Sequence, residues 1–346
     1  MRSSNLLLGP PFISSKARAM ATATSPDLQR LDPSVLIEEE IVPGYKAEDY
    51  YPVHVGEIFK QRYKTIGKLG YGSASTVWLC RDLDKQNEFK ALKLYINRSK
   101  VHRELPIYEH INSLRSEHEG RNHVRKLIEA FEVQGPHGRH ICLVHEPMGM
   151  SLDEDNSVFT DLERQAAEHP SPCKRADNRT IYPSWLLPLR PGLPAISDLS
   201  EARFGESDHT DHIMPDRYRA PEVILGMPWS YPVDTWSLAM VIWDLFEGKP
   251  MLPARNPDGQ YSERYHLAQL VAILGPPPLE FIQASERSKR FWDSDGNWIA
   301  EVPIPNISLD TAETRLDGKE KDEFLAFMRK MLQWKPEDRG SCHDIF

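Results

Sequence analysis

Between residues 62 and 95 two short runs alternate apolar and polar positions, R-Y-K-T-I-G-K-L-G and F-K-A-L-K-L-Y, and between them T-V-W-L-C is a β-branched and aromatic run. A period of two, with β-branched and aromatic residues and glycine between the runs, predicts strands. H-I-C-L-V-H, residues 140–145, reads as a further buried strand. Between these, Ile107, Ile111 and Leu114 fall at helical spacing, which predicts a helix from Pro106 to Glu117; proline is tolerated in a first turn. From Pro221 onward the period changes to that of helices. S-L-A-M-V-I-W-D-L-F, residues 237–246, is apolar nearly all round, so it predicts a buried helix. H-L-A-Q-L-V-A-I-L-G and E-F-L-A-F-M-R-K-M-L predict amphipathic helices. The stretch 151–197 carries six prolines and leaves room for a helix only at about 157–168. The pattern is that of an α+β protein, strand-rich in front and helical behind.

Composition narrows the classes. The chain has 346 residues, 27% charged and 40% apolar, with net charge −9. That balance argues against nucleic acid as a direct partner and would suit basic substrates. No run of 18 apolar residues occurs, so no membrane span is expected. Cys80, Cys142, Cys173 and Cys342 form no C-x-x-C pair, which disfavours zinc and redox motifs and fits a reducing compartment. Residues 1–35 read as a disordered leader. A transit peptide is the alternative for 1–26, which hold Arg2, Lys16 and Arg18 and no acid.

Candidate chemistry begins at Gly70-x-Gly72-x-x-Ser75-x-Val77. Glycines let a turn bring its backbone N–H groups close to phosphates. A hairpin turn that needs positive φ explains them equally well at this point. They lie between two strands and not before a helix, which disfavours a dinucleotide Rossmann site. Ala91-Leu92-Lys93 follows on a neighbouring strand, where a lysine can reach α- and β-phosphates. Glu104 shares the inward helix face with Ile107 and Ile111 and could pair with Lys93; Glu109 is the alternative.

With these residues the chain resembles the protein kinases: a Gly-rich loop, a strand lysine and a helix glutamate. R-Y-R-A-P-E, residues 217–222, resembles the end of an activation segment. Asp234 in V-D-T-W-S resembles the aspartate that opens a buried helix, and Arg339 in K-P-E-D-R resembles the arginine that pairs with Glu222. G-Y-G-S-A-S-T-V-W-L-C and I-M-P-D-R-Y-R-A-P-E-V-I-L-G are similar to the SR-protein kinases, fungal type, which phosphorylate serine/arginine-rich splicing factors. The resemblance implies a bilobal kinase-like domain over 36–346, with a first lobe at about 60–148 and a second at about 149–346. It implies ATP and Mg²⁺ as cofactors and Arg/Ser-rich proteins as partners. It also implies a monomer in the cytoplasm or nucleus. His145 would border the adenine, Glu146 to Met148 would form the hinge, and Asp198 in A-I-S-D-L-S would hold Mg²⁺.

One part of the pattern is missing. Between Met148 and Asp198 there is no catalytic loop of the H-R-D-L-x-x-x-N type, so no catalytic aspartate is identified. His102-Arg103-Glu104 lies too early, and His209-Thr210-Asp211 lies after Asp198. S-L-D-E at 151–154 and D-N-S-V-F at 155–159 read as two ends joined directly. The resemblance then implies a defective enzyme: a nucleotide-binding pseudokinase, or an exon-skipped or mis-assembled product of an active kinase gene. Helix 237–246 would lose a neighbour and Asp234 its partners. Ser200, where the family has glycine, would be strained if φ > 0 were needed.

Overall fold

The structure, a computed structural model, describes residues 31–85, 88–98, 103–148, 163–164, 172–176, 179–185, 194–204 and 208–345. The chain divides into two compact units at Arg203 and Phe204. Residues 172–185 bond to the N-terminal part of the chain and so belong to the first unit. The region expected to hold the direct join, 151–159, lies outside the described residues, as does most of the helix expected at 157–168.

The first unit is built on six antiparallel strands: β1 (Ile58–Phe59), β2 (Tyr63–Tyr71), β3 (Ser75–Asp82), β4 (Phe89–Tyr95), β5 (Leu127–Gly135) and β6 (Gly138–His145). Their order is β1-β2-β3-β4-β6-β5. Side chains alternate across the sheet. Trp78, Cys80, Leu92, Leu94, Cys142 and Val144 form a buried cluster on one face. The residues between them, Val77, Ala91, Lys93 and His145, therefore share the other face. There helix α1 (Glu104–Ser113) brings Tyr108 against Tyr95, Leu127 and Leu143. The helix begins two residues before the expected Pro106 and stops at Ser113. Leu114, the third residue of the expected spacing, already turns to an extended conformation at ψ 124° and is exposed, and R-S-E-H after it offers no apolar residue to bury.

Residues 1–30 of the expected leader lie outside the described residues, but the chain is engaged from Leu31, whose N–H bonds to the Cys173 carbonyl at 3.0 Å. Glu38, Glu39 and Glu40 are anchored. Glu39 is fully buried and accepts from both Lys68 of β2 and Arg179. Glu40 takes Lys174 at 2.8 Å, and Glu38 takes the Ser184 hydroxyl at 2.5 Å. Lys174 and Arg179 come from a hairpin of β7 (Lys174–Ala176) and β8 (Arg179–Ile181). Charges leave water only when paired, so this brace fixes the hairpin against β2. Trp185 closes the junction: its N–H bonds to the Lys68 carbonyl at 2.8 Å, and its indole fills the space a Cβ on Gly67 would need.

The second unit is helical: α2 (Pro221–Ile224), α3 (Pro232–Glu247), α4 (Glu263–Leu274), α5 (Leu279–Gln283), α6 (Leu309–Ala312), α7 (Gly318–Met331) and α8 (Cys342–Ile345). Pro232 starts α3, where its missing N–H is harmless, and Gly248 ends it in the left-handed region at φ +70°. Trp236, Ala239, Met240 and Trp243 point into the core with Leu267, Leu270, Leu325 and Met328. The opposite face of α3 departs from the expected full burial. Asp234, Leu238, Val241 and Leu245 recur at helical spacing and are all exposed. The Asp234 carboxylate accepts no hydrogen bond among the described residues. An all-apolar helix states what could be covered, not whether a neighbour exists to cover it.

Candidate functional site

The first unit assembles most of the predicted residues. Register places Val77 opposite Lys93 and Ala91 opposite His145, so three strands bring them onto one face. Ser75 opens β3 and is buried. Gly70 and Gly72 sit at the β2–β3 turn. Neither has a positive φ, and a Cβ at either would meet nothing within 4 Å. The hairpin's conformation therefore does not demand these glycines. What they provide is open access to the backbone, as a ligand brought close to its amides requires.

Lys93 is the hub. Its ammonium donates to Glu104 Oε2 at 2.7 Å and to Asp198 Oδ1 at 3.1 Å. Glu104 is buried at the first turn of α1, where the helix dipole favours a carboxylate. Its other oxygen accepts the Leu199 N–H at 3.1 Å, which ties the segment after Asp198 to the same helix. The alternative, Glu109, is exposed and lies about 140° round the helix from Glu104. Asp198 is exposed and adopts a left-handed conformation, φ +57° and ψ +69°. Aspartate tolerates that region better than most residues, yet such backbone persists only where its surroundings impose it. Desolvation raises its carboxyl, but Lys93 and the hydroxyl and amide of Ser200 outweigh this and hold it below the usual carboxylate range. The strain expected at Ser200 is not found there, because the positive φ falls on Asp198 instead.

His145 ends β6 fully buried, and its Nδ1 faces the Lys126 carbonyl at 2.9 Å. A carbonyl only accepts, so Nδ1 carries the hydrogen and Nε2 is the free lone pair. Desolvation first and Arg125 second push its pKa down to about 4, so the ring is neutral. Glu146 is anchored twice, by Lys90 at 2.9 Å and through its carbonyl by Arg125 at 3.1 Å. Met148 is exposed beside it. In the second unit Arg339 makes a bidentate pair with Glu222 at 2.7 and 2.6 Å, both buried. His209 and Trp229 pair across an isolated bridge with rings 4.8 Å apart, which occupies the His-Thr-Asp look-alike.

The set can cradle a polyphosphate between loop amides and an ammonium, with one carboxylate beside it. A divalent ion of the Mg²⁺ type takes one or two carboxylates plus phosphate oxygens, and Asp198 fits as one. Among the described residues no cluster of three or more His, Cys, Asp or Glu could hold a metal by itself. Sequence reasoning missed Tyr50, which touches the glycine turn, and the Glu38–Glu40 brace. It also missed β5. Only the three-glutamate run left a signal, and such a run normally stays solvated.

A six-stranded sheet with one packed helix, a Lys–Glu–Asp constellation and a helical unit closed by a buried Glu–Arg pair define a protein kinase domain. A family model described as protein kinase domain matches residues 189–346. A serine/threonine protein kinase of Aspergillus fumigatus is 38% identical, covering 91% of each chain. The serine/threonine-protein kinase SRPK of Physarum polycephalum is 28% identical over 89% of this chain and 90% of that one. The human dual specificity tyrosine-phosphorylation-regulated kinase 4 is 27% identical over 80% of this chain and 55% of that one. The chain belongs to the serine/threonine protein kinase family, with its α+β fold.

Proposed function

We propose that this chain binds ATP with Mg²⁺ through Gly70, Gly72, Ser75, Val77, Ala91, Lys93, Glu104, Glu146, Met148 and Asp198, and is defective in phosphoryl transfer. The observation that carries the binding half is Lys93 held between Glu104 and Asp198 beside an unobstructed glycine turn. ATP would bring the transferable γ-phosphoryl group. The protein's part would be positioning and charge compensation, plus a carboxylate that prepares the acceptor hydroxyl.

That last part is what the sequence lacks. Two observations support a missing segment. The alignment with the Aspergillus relative runs over 358 positions, more than the 346 residues of this whole chain, so that relative has residues where this chain has none. The Asp234–Leu238–Val241–Leu245 face of α3 is exposed, as a helix that has lost a neighbour would be. Exon skipping in a gene whose full product is active explains both. The likeness to the SRPK of Physarum supports Arg/Ser-rich proteins as the substrate class of that full product.

The test pairs two assays on purified chain. Thermal shift should rise with ATP and Mg²⁺ and not in Lys93→Met. Radiolabelled phosphate should not move to an Arg-Ser peptide beyond the Lys93→Met background. Lys93-dependent transfer at an ordinary kinase rate overturns the defect. Absence of any nucleotide-induced shift overturns the binding.

A further inference from the structure

A peptide plane is rigid, so fixing a carbonyl fixes the N–H on its far side. At the tip of the β2–β3 turn, the Tyr50 hydroxyl donates to the Gly72 carbonyl at 2.9 Å and lies 3.3 Å from the Ser73 carbonyl. The N–H groups of these two peptides are those of Ser73 and Ala74. Both residues are exposed, and neither amide donates to a protein acceptor among the described residues. The Gly72 N–H, by contrast, closes the turn on the Ser75 carbonyl at 2.8 Å. The two free amides are thus held in one orientation from behind.

Tyr50 is well placed to do this. It is 4% exposed, and its ring lies 5.5 Å from the Arg179 guanidinium and 5.3 Å from the ring of Tyr45. Arg179 pairs with Glu39, which also binds Lys68 at the root of the same turn. A continuous set of contacts therefore runs from the N-terminal segment to both the root and the tip of the glycine turn. Desolvation first and Glu39 second push the phenol up to about 12, so the hydroxyl keeps the hydrogen it donates.

We propose that Tyr50 is a positioning residue that turns the Ser73 and Ala74 amides toward the phosphates of a bound nucleotide. The proposal rests on the nucleotide reading of the site. It differs from a purely structural role in one respect: loss of the hydroxyl weakens ligands that carry phosphates and spares those that do not.

The experiment compares the full chain with Tyr50→Phe, which keeps the ring against Arg179 and removes only the hydroxyl. Calorimetry measures affinity for ATP with Mg²⁺ and for adenosine. One or two hydrogen bonds' worth of orientation predicts ATP binding roughly three- to tenfold weaker, with adenosine within about twofold. The ATP-to-adenosine ratio cancels any general loss of folded protein. An unchanged ratio overturns the proposal. Amide hydrogen exchange of residues 70–77 without ligand should quicken in Tyr50→Phe, and unaltered exchange overturns it as well. If the parent chain takes neither ATP nor adenosine, the nucleotide reading fails and the phosphate role with it. The exchange comparison then separately decides whether Tyr50 holds the turn.

Discussion

Arg339 offers a direct measure of how much the helical unit depends on one buried pair. Its guanidinium spans both Glu222 oxygens at 2.7 and 2.6 Å, donates to the Gln333 and Pro232 carbonyls, and lies 5.0 Å from the Trp236 ring centroid. The paired side chains are 0% and 1% exposed. Arg339→Met keeps most of the volume but leaves the Glu222 carboxylate in the core without its cation. Breaking a buried pair from one side costs about 3–5 kcal/mol, against about 5–15 kcal/mol for a whole domain. The single variant should therefore unfold at much lower urea, or fail to accumulate. Arg339→Met with Glu222→Leu removes both charges and should recover about half of the loss or more, because the stranded charge is the main penalty. Urea denaturation followed by tryptophan fluorescence reads both. A single-variant loss under about 1 kcal/mol refutes the reasoning, as does a double variant no better than the single.

Three further outcomes are expected. Lys93→Met should abolish the nucleotide-dependent thermal shift and also cost about 1–3 kcal/mol by leaving buried Glu104 without its cation. Adding Glu104→Gln should restore stability and not binding, and recovery of both would separate Lys93 from the ligand. Leu245 is 76% exposed, and full burial of a leucine is worth about 1.5–3 kcal/mol, so Leu245→Gln should change stability by less than about 1 kcal/mol. A loss above about 2 kcal/mol would mean the face is covered. His145 and His266 are buried, and desolvation first, with an arginine second, lowers them to about 4 and about 3. Both folded values lie below the unfolded value near 6.5, so the unfolded chain takes up protons that the folded chain refuses. Stability is full above about pH 6.5 and falls on acidification by roughly 1.4 kcal/mol per unit for each group. Urea midpoints taken from pH 7.5 to 5 should decline, and a flat profile refutes the assignment.

The legible parts of the fold were those with a local period. β2 and β4 announced themselves by alternation, β3 and β6 by short unbroken apolar runs, and Lys93 with Glu104 followed from strand position and helix phase. β5 did not, because L-I-E-A-F-E-V-Q-G mixes acids into an edge strand that is half open to water. The Glu38–Glu40 brace was out of reach for another reason. Its cations, Lys68, Lys174 and Arg179, lie 29 to 140 residues away, and nothing local marks Glu39 as buried or its neighbours as anchored. Tyr50 carried no signal, since an aromatic followed by Tyr51 and Pro52 reads as ordinary loop. Helix 237–246 showed the limit from the other side, because composition recorded a capacity for burial while coverage depended on residues elsewhere.

The open seam along α3 has a consequence for the cell. A row of leucine and valine side chains facing water is the kind of surface that chaperones hold and proteases recognise. The steady-state amount of this polypeptide would then be set by clearance more than by synthesis. Were this chain the exon-skipped product proposed above, a full product that covers the seam would outlast it, with the nucleotide cradle the same in both.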